Sequence, residues 1–170
     1  MLTRAALLTS AFFASLVFSN ACVVNTASAD ETSAAAFASA PKLSVSKTEL
    51  INVGGWTLES AQTANGAAIE ALTATGEEVK IAFELDGIRA DAGCNKLAGT
   101  YRAGSGKIIT DLAITTRMSC DDAKNRADAA LSELFKQTFK AELRQTEPMR
   151  MRLIGENGDV LMFVAMPLSF

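Results

Sequence analysis

From residue 54 onward the chain alternates apolar and polar side chains in short runs set between glycines, the period-two signature of half-buried strands. Trp56 and Leu58 alternate with Thr57 and Glu59 directly after Gly54-Gly55 and predict a first strand. Val79, Ile81, Phe83 and Leu85 repeat the pattern, and Asp86-Gly87 supplies turn chemistry before Ile88-Arg89-Ala90, so residues 79–90 read as a hairpin. Gly93, Gly99, Gly104 and Gly106 punctuate short runs around Leu97, Tyr101 and Ile108-Ile109, and Leu112 with Ile114 predicts another strand near Thr115. Residues 149–154 and 160–164 flank Glu156-Asn157-Gly158-Asp159, and Asn-Gly between two alternating runs is the clearest hairpin signal in the chain.

One stretch has the other period. Asp121 and Asp122 offer an N-cap and negative charge at a helix start, and Ala123, Ala127, Ala130, Leu131, Leu134, Phe135 and Thr138 follow at spacings of three and four. This predicts a helix running to about Lys140. Lys124, Arg126, Asp128, Glu133, Lys136 and Lys140 are assigned to its solvated side, which leaves one apolar stripe to lie on a sheet. The expected fold is therefore α+β, a single domain with a curved antiparallel β-sheet and one main α-helix packed against it. No internal repeat at a fixed period is present.

The first thirty residues follow neither pattern. Arg4 is the only charge before Asp30, and residues 5–18 are almost entirely apolar or small. About 14 residues at 1.5 Å rise reach about 21 Å, short of the roughly 30 Å hydrocarbon core, so residues 1–29 read as a signal peptide rather than a membrane span. Two processing sites compete. Ala27-Ser28-Ala29 suits cleavage before Asp30 and release of a soluble protein, whereas Ser19-Asn20-Ala21-Cys22 resembles a bacterial lipobox and would make Cys22 a lipidated first residue. The expected location is the periplasm, or the outer membrane if Cys22 is acylated. Residues 30–48, rich in Ala, Ser and Thr up to Pro41, are expected to form a disordered tether that leads into the folded part at 49–166.

Composition narrows the chemistry. Of 170 residues, 16 are Lys or Arg and 19 are Asp or Glu, and a formal charge of −3 argues against a nucleic-acid partner. Histidine is absent, which removes Ser-His-Asp and Cys-His catalysis and His-ligated zinc. Asp86 and Asp91 form the one pair of carboxylates worth weighing as a hydrolase acid and base, but both precede glycines where Asp commonly serves a turn. Ser119 has no histidine to activate it, and no phosphate-binding glycine loop is present. Most of the methionines are expected in the core. Three cysteines remain, and if Cys22 is removed or acylated, Cys94 and Cys120 are left as an even pair in an oxidising compartment. A structural disulfide is the favoured reading, with two buried free thiols as the alternative. No cofactor or metal is expected.

Three segments carry a resemblance. Trp56-Thr57-Leu58, then Gly93-Cys94-Asn95-Lys96-Leu97-Ala98-Gly99-Thr100-Tyr101, then Thr116-Arg117-Met118-Ser119-Cys120 before an acidic helix start resemble the META domain of HslJ-like bacterial proteins over residues 54–164. Leu97 stands where the family often has an aromatic residue, and the position stays apolar. The resemblance implies a compact α+β domain in exported proteins or lipoproteins of Gram-negative bacteria, associated with heat-shock or envelope stress, and brings no catalytic residues. It also implies structural roles for the motif. Gly93 and Gly99 would permit tight backbone, Cys94 and Cys120 would join, and Asn95 and Arg117 would satisfy nearby backbone groups or contact a ligand. The expected function is a non-enzymatic, stress-related binding or chaperone-like role toward an unidentified envelope protein or peptide, with membrane contact only through Cys22. The alternatives are a small secreted hydrolase using Asp86 and Asp91, and an inhibitor of a cell-wall enzyme.

Overall fold

The computed structural model describes residues 29–166; the expected signal segment and Cys22 lie outside the described residues. The elements follow one another as α1 (Ala29–Ser39), β1 (Lys42–Leu43), α2 (Lys47–Asn52), β2 (Trp56–Gln62), α3 (Glu70–Thr73), β3 (Lys80–Phe83), β4 (Ile88–Asp91), β5 (Lys96–Gly104), β6 (Lys107–Thr115), α4 (Asp122–Leu134), β7 (Thr138–Arg144), β8 (Arg150–Ile154) and β9 (Val160–Ala165). No helix among the described residues is long and apolar enough to cross a membrane.

The strands form one sheet in the order β1-β7-β6-β5-β4-β3-β2-β9-β8, and β8 pairs again with β7. That last pairing joins the two ends of the sheet, so the expected curved antiparallel sheet is a closed eight-stranded barrel with β1 added beside β6 on the same edge of β7. Closure leaves the eight wall strands without a continuous open edge. Alternation sets the inside: Trp56, Ile81, Ala90 and Leu97 are register partners across four neighbouring strands, and all four are buried. Phe139, Leu143, Met151, Leu153, Leu161 and Phe163 line the opposite wall, and Phe135 stacks on Phe139 and Phe163 with ring centroids 5.2 and 6.4 Å away. Each such side chain contributes about 1.5 to 3 kcal/mol by leaving water.

The helix starts where its cap predicts. Asp121 is extended and its carboxylate accepts from the Lys124 N–H at 2.9 Å. It ends at Leu134, however, six residues before the expected Lys140, and residues 138–144 form β7. Ala127, Leu131 and Phe135 face the core as expected, but Asp128, assigned to the solvated side, is buried. The methionines divide differently from expectation: Met151 is fully buried, while Met118 is 60% exposed.

The expected tether also differs. Residues 30–48 carry most of α1, all of β1 and the start of α2. Alanine favours helix even where it buries little, and Phe37 supplies the anchor. Its ring is 2% exposed and lies against the outer wall, 5.5 Å from the Arg144 guanidinium and 5.1 Å from that of Arg152. Arg144 also donates to the Ala40 carbonyl at 3.0 Å.

Those arginines surround Glu142, whose carboxylate meets Arg152 at 2.6 Å and is itself buried. Burial alone would raise its carboxyl, but the hydrogen bond and charge of Arg152, with the charges of Lys140 and Lys42, outweigh it and hold the group below its ordinary value. A depressed folded value means that ionised Glu142 stabilises the fold above the ordinary glutamate range, and that this is lost as pH falls through the folded value. Urea titrations should therefore show the advantage of the wild type over Glu142→Gln largest above pH ~5 and shrinking below pH ~4. A constant difference from neutral to acid pH would exclude the charge as its source.

Candidate binding site

The motif residues gather at one corner of the barrel, where the turn between β4 and β5 meets the arm that leads from β6 to α4. Gly93 lies in this turn with φ +100°, a conformation suited to glycine, and a Cβ there would fall 2.7 Å from the Glu77 side chain. Glu77 in turn pairs with Lys124 on α4 at 2.8 Å. Cys94 is bonded to Cys120 with Cα atoms 6.2 Å apart, inside the range a disulfide spans without distortion of the backbone. The favoured reading of the two cysteines is the one seen.

Asn95 is the hub of the corner. Its backbone N–H and its Nδ2 both donate to Asp128 Oδ2, at 2.9 and 2.8 Å, while its Oδ1 accepts from the Met118 N–H at 2.8 Å and from the Thr116 hydroxyl at 3.2 Å. Thr116 closes the arrangement, its hydroxyl accepting from the Lys96 N–H at 3.0 Å and its own N–H donating to the Lys96 carbonyl. Asn95 thus satisfies backbone as the resemblance implies. Arg117 does not share that role. It is exposed and makes no hydrogen bond among the described residues, as Met118 and Ser119 beside it are also exposed. Asp128, the partner on which the network depends, lies on α4 outside the motif, and the helical pattern alone assigns it to the solvated side.

The remaining motif residues hold the wall below. Gly99 sits at a bulge between β5 and β6, and a Cβ there would come within 1.8 Å of the Asp111 carbonyl oxygen, so the two strands can approach only around glycine. Tyr101 packs edge-on against Phe83 at 5.0 Å and donates its hydroxyl to the Glu84 carbonyl, which ties β5 to the β3–β4 hairpin. Trp56 is fully buried in the core, and its indole N–H has no partner among the described residues.

Asp86 and Asp91 are not brought together. Asp86 lies in the turn between β3 and β4, ahead of Ile88, whereas Asp91 ends β4, so the length of that strand separates them. Asp91 is committed to its turn: Oδ1 accepts from the Gly93 N–H at 2.9 Å and Oδ2 pairs with Lys96. Burial alone would raise its carboxyl, yet the contacts with Lys96, Gly93 and Lys80 prevail and keep it lower than usual, the wrong direction for a general acid near neutral pH. Asp86 lines a separate shallow pocket with Glu84, Arg89 and Asp111, where Glu84 is paired with Arg89 at 3.0 Å.

Beside the stapled corner the outer wall carries a groove of about 560 Å³. Its floor includes Ala82 and Ala98, its rim Lys80, Arg89 and Lys96, and Thr115 and Thr116 join it to the arm that bears Arg117 and Met118. The arm is held at Thr116, Met118, Cys120 and Asp121, so its exposed side chains are presented from a fixed backbone. Such an arrangement suits recognition of an extended or loop segment, since little ordering is left to occur on contact.

A small closed antiparallel barrel with a helix on its core and a disulfide-stapled corner defines the class of this domain. The META domain family model matches residues 49–167, and the chain belongs to that family. Among solved structures it is similar to the NMR structure of a protein from Burkholderia xenovorans, at 22% identity and a TM-score of 0.58, over 70% of this chain and 86% of that one. A crystal structure of a DUF4847 family protein from Bacteroides vulgatus shares 13% identity with a TM-score of 0.44, over 71% of this chain and 98% of that one. No match was found among curated proteins.

Proposed function

We propose that this META domain protein is an exported, non-enzymatic binding protein of the bacterial envelope, with a stress-related, chaperone-like role toward unfolded protein segments. The observation that carries the reading is the arm at residues 116–120, which presents exposed Arg117 and Met118 from a backbone fixed by Asn95 and the disulfide, beside a groove with an alanine floor. An unbranched, polarisable methionine adapts to varied apolar partners, and an arginine beside it adds hydrogen-bonding range. The apolar segment at 1–18 supports export, and either cleavage before Asp30 or acylation at Cys22 would follow from it.

The test is suppression of aggregation. The chain from Asp30 is expected to reduce light scattering from thermally unfolding citrate synthase, without reductant, at near-equimolar ratio, and Arg117→Ala with Met118→Ala is expected to abolish the effect while the melting temperature stays within about 2 °C. Asp86→Asn should leave it intact. Unchanged scattering with the wild type, or equal protection by the double variant, overturns the reading; release of soluble fragments from peptidoglycan that depends on Asp86 would replace it with the hydrolase.

A further inference from the structure

Away from the stapled corner, the outer wall of β5, β6 and β7 has a different character. Ile108 and Phe139 point into the core, so strand alternation turns Lys107, Ile109 and Lys140 outward. Register places Lys107 opposite Lys140, and Arg102 opposite Ile109. Along β7, Lys42 is opposite Arg144, and Glu142 is opposite Arg152. Six cations thus share this wall with two carboxylates, in a chain whose formal charge is −3. One of the carboxylates, Glu142, is buried and already neutralised by Arg152; the other is Asp111. Phe37 covers Arg144 and Arg152. Lys42, Arg102, Lys107 and Lys140 stay exposed, and in their midst stands Ile109, a large apolar side chain 48% exposed.

We infer that this wall is a docking surface for an anionic lipid bilayer. The inference is independent of the binding role proposed for the motif corner. Long cationic side chains reach phosphate headgroups while their stems lie along apolar surface, and each contributes only within about a Debye length of the membrane, so several on one convex wall are needed to act together. An exposed isoleucine ringed by such side chains is placed to enter the headgroup layer, as on the apolar face of an interfacial helix. A protein partner of opposite charge would be served by the lysines alone and would make no use of Ile109. The lipid surface accounts for both features.

Vesicle flotation with the chain from Asp30 tests this, since that chain holds the whole barrel. The protein is expected to float with vesicles of equal phosphatidylglycerol and phosphatidylcholine at low salt, to stay in solution with phosphatidylcholine alone, and to be released by about 0.5 M salt. Lys107→Glu and Lys140→Glu should each weaken binding about five- to tenfold, and together more. Ile109→Ser should weaken it severalfold without a change of charge, whereas Arg126→Glu on α4, with the same charge change as one lysine reversal, should leave it unaltered. Melting temperatures confirm that each variant is folded. The inference fails if anionic and neutral vesicles recover the same fraction, if the lysine double variant floats like the wild type, or if the protein ignores vesicles and binds soluble polyglutamate, which would assign the wall to an acidic protein.

Discussion

Replacing Cys94 and Cys120 together by serine is expected to lower stability by about 3.5 kcal/mol, which for a domain of about 120 residues corresponds to a melting temperature lower by about 10 to 15 °C. The magnitude follows from the sequence separation of 26, because freeing the loop returns its entropy to the unfolded chain. The loop contains β5, β6 and the exposed arm, so the bond closes the most extended hairpin of the barrel onto the start of α4. Thermal unfolding of the serine variant, and of the wild type with and without reductant, checks the expectation. Reduced wild type and serine variant should agree; a loss below about 1 kcal/mol in both would show that the hydrogen bonds of Asn95 hold the corner unaided.

Asn95→Ala should cost nearly as much, about 2 to 4 kcal/mol, through a different route. The substitution removes four side-chain hydrogen bonds and leaves the Asp128 carboxylate, 6% exposed and with its Oδ1 already lacking a partner among the described residues, with the Asn95 backbone N–H on its other oxygen. Removing one partner from a buried polar group costs more than removing both. In a urea-denaturation cycle, Asn95→Ala combined with Asp128→Ala is therefore expected to lose at least about 1 kcal/mol less than the sum of the two single changes. Additive losses would mean that the two side chains act separately. The serine variant tests chain entropy and Asn95→Ala tests polar satisfaction, although both act on the same corner.

The hairpins at residues 79–90 and 149–164, the cap at Asp121 and the pairing of the cysteines are all legible in the sequence, because each depends on neighbours a few positions away or on simple parity. β7 is not. Thr138 continues the helical spacing of α4, and Lys140, Ala141, Glu142, Leu143 and Arg144 are good helix formers, so local preference points to helix where β6 and β8 impose a strand. That one strand decides closure: without β7 the remaining strands read as an open curved sheet, and with it they read as a barrel. Asp128 is hidden for a related reason. On a helix whose neighbours are charged, a buried carboxylate looks like a solvated one until the turn that donates to it, 33 positions earlier, is in place. Phe37 was visible as a lone aromatic residue, but the arginines that hold it lie more than 100 positions away. At the candidate site the motif located the corner and its staple, while the exposure of Arg117 and Met118 emerged only from the path of the arm between them.

The pairing order of the barrel also governs when it can form. β2, near the start of the fold, has β9 as its longest partner, and β1 can pair only with the far end of β7. A chain delivered N-terminus first, from a ribosome or through a narrow pore, therefore holds an incomplete wall until its last strand has emerged, and the strands already delivered have no finished structure to settle into. Contacts this distant in sequence make folding slow relative to local helix or hairpin formation. The topology thus ties completion of the barrel to the arrival of residues 160–165.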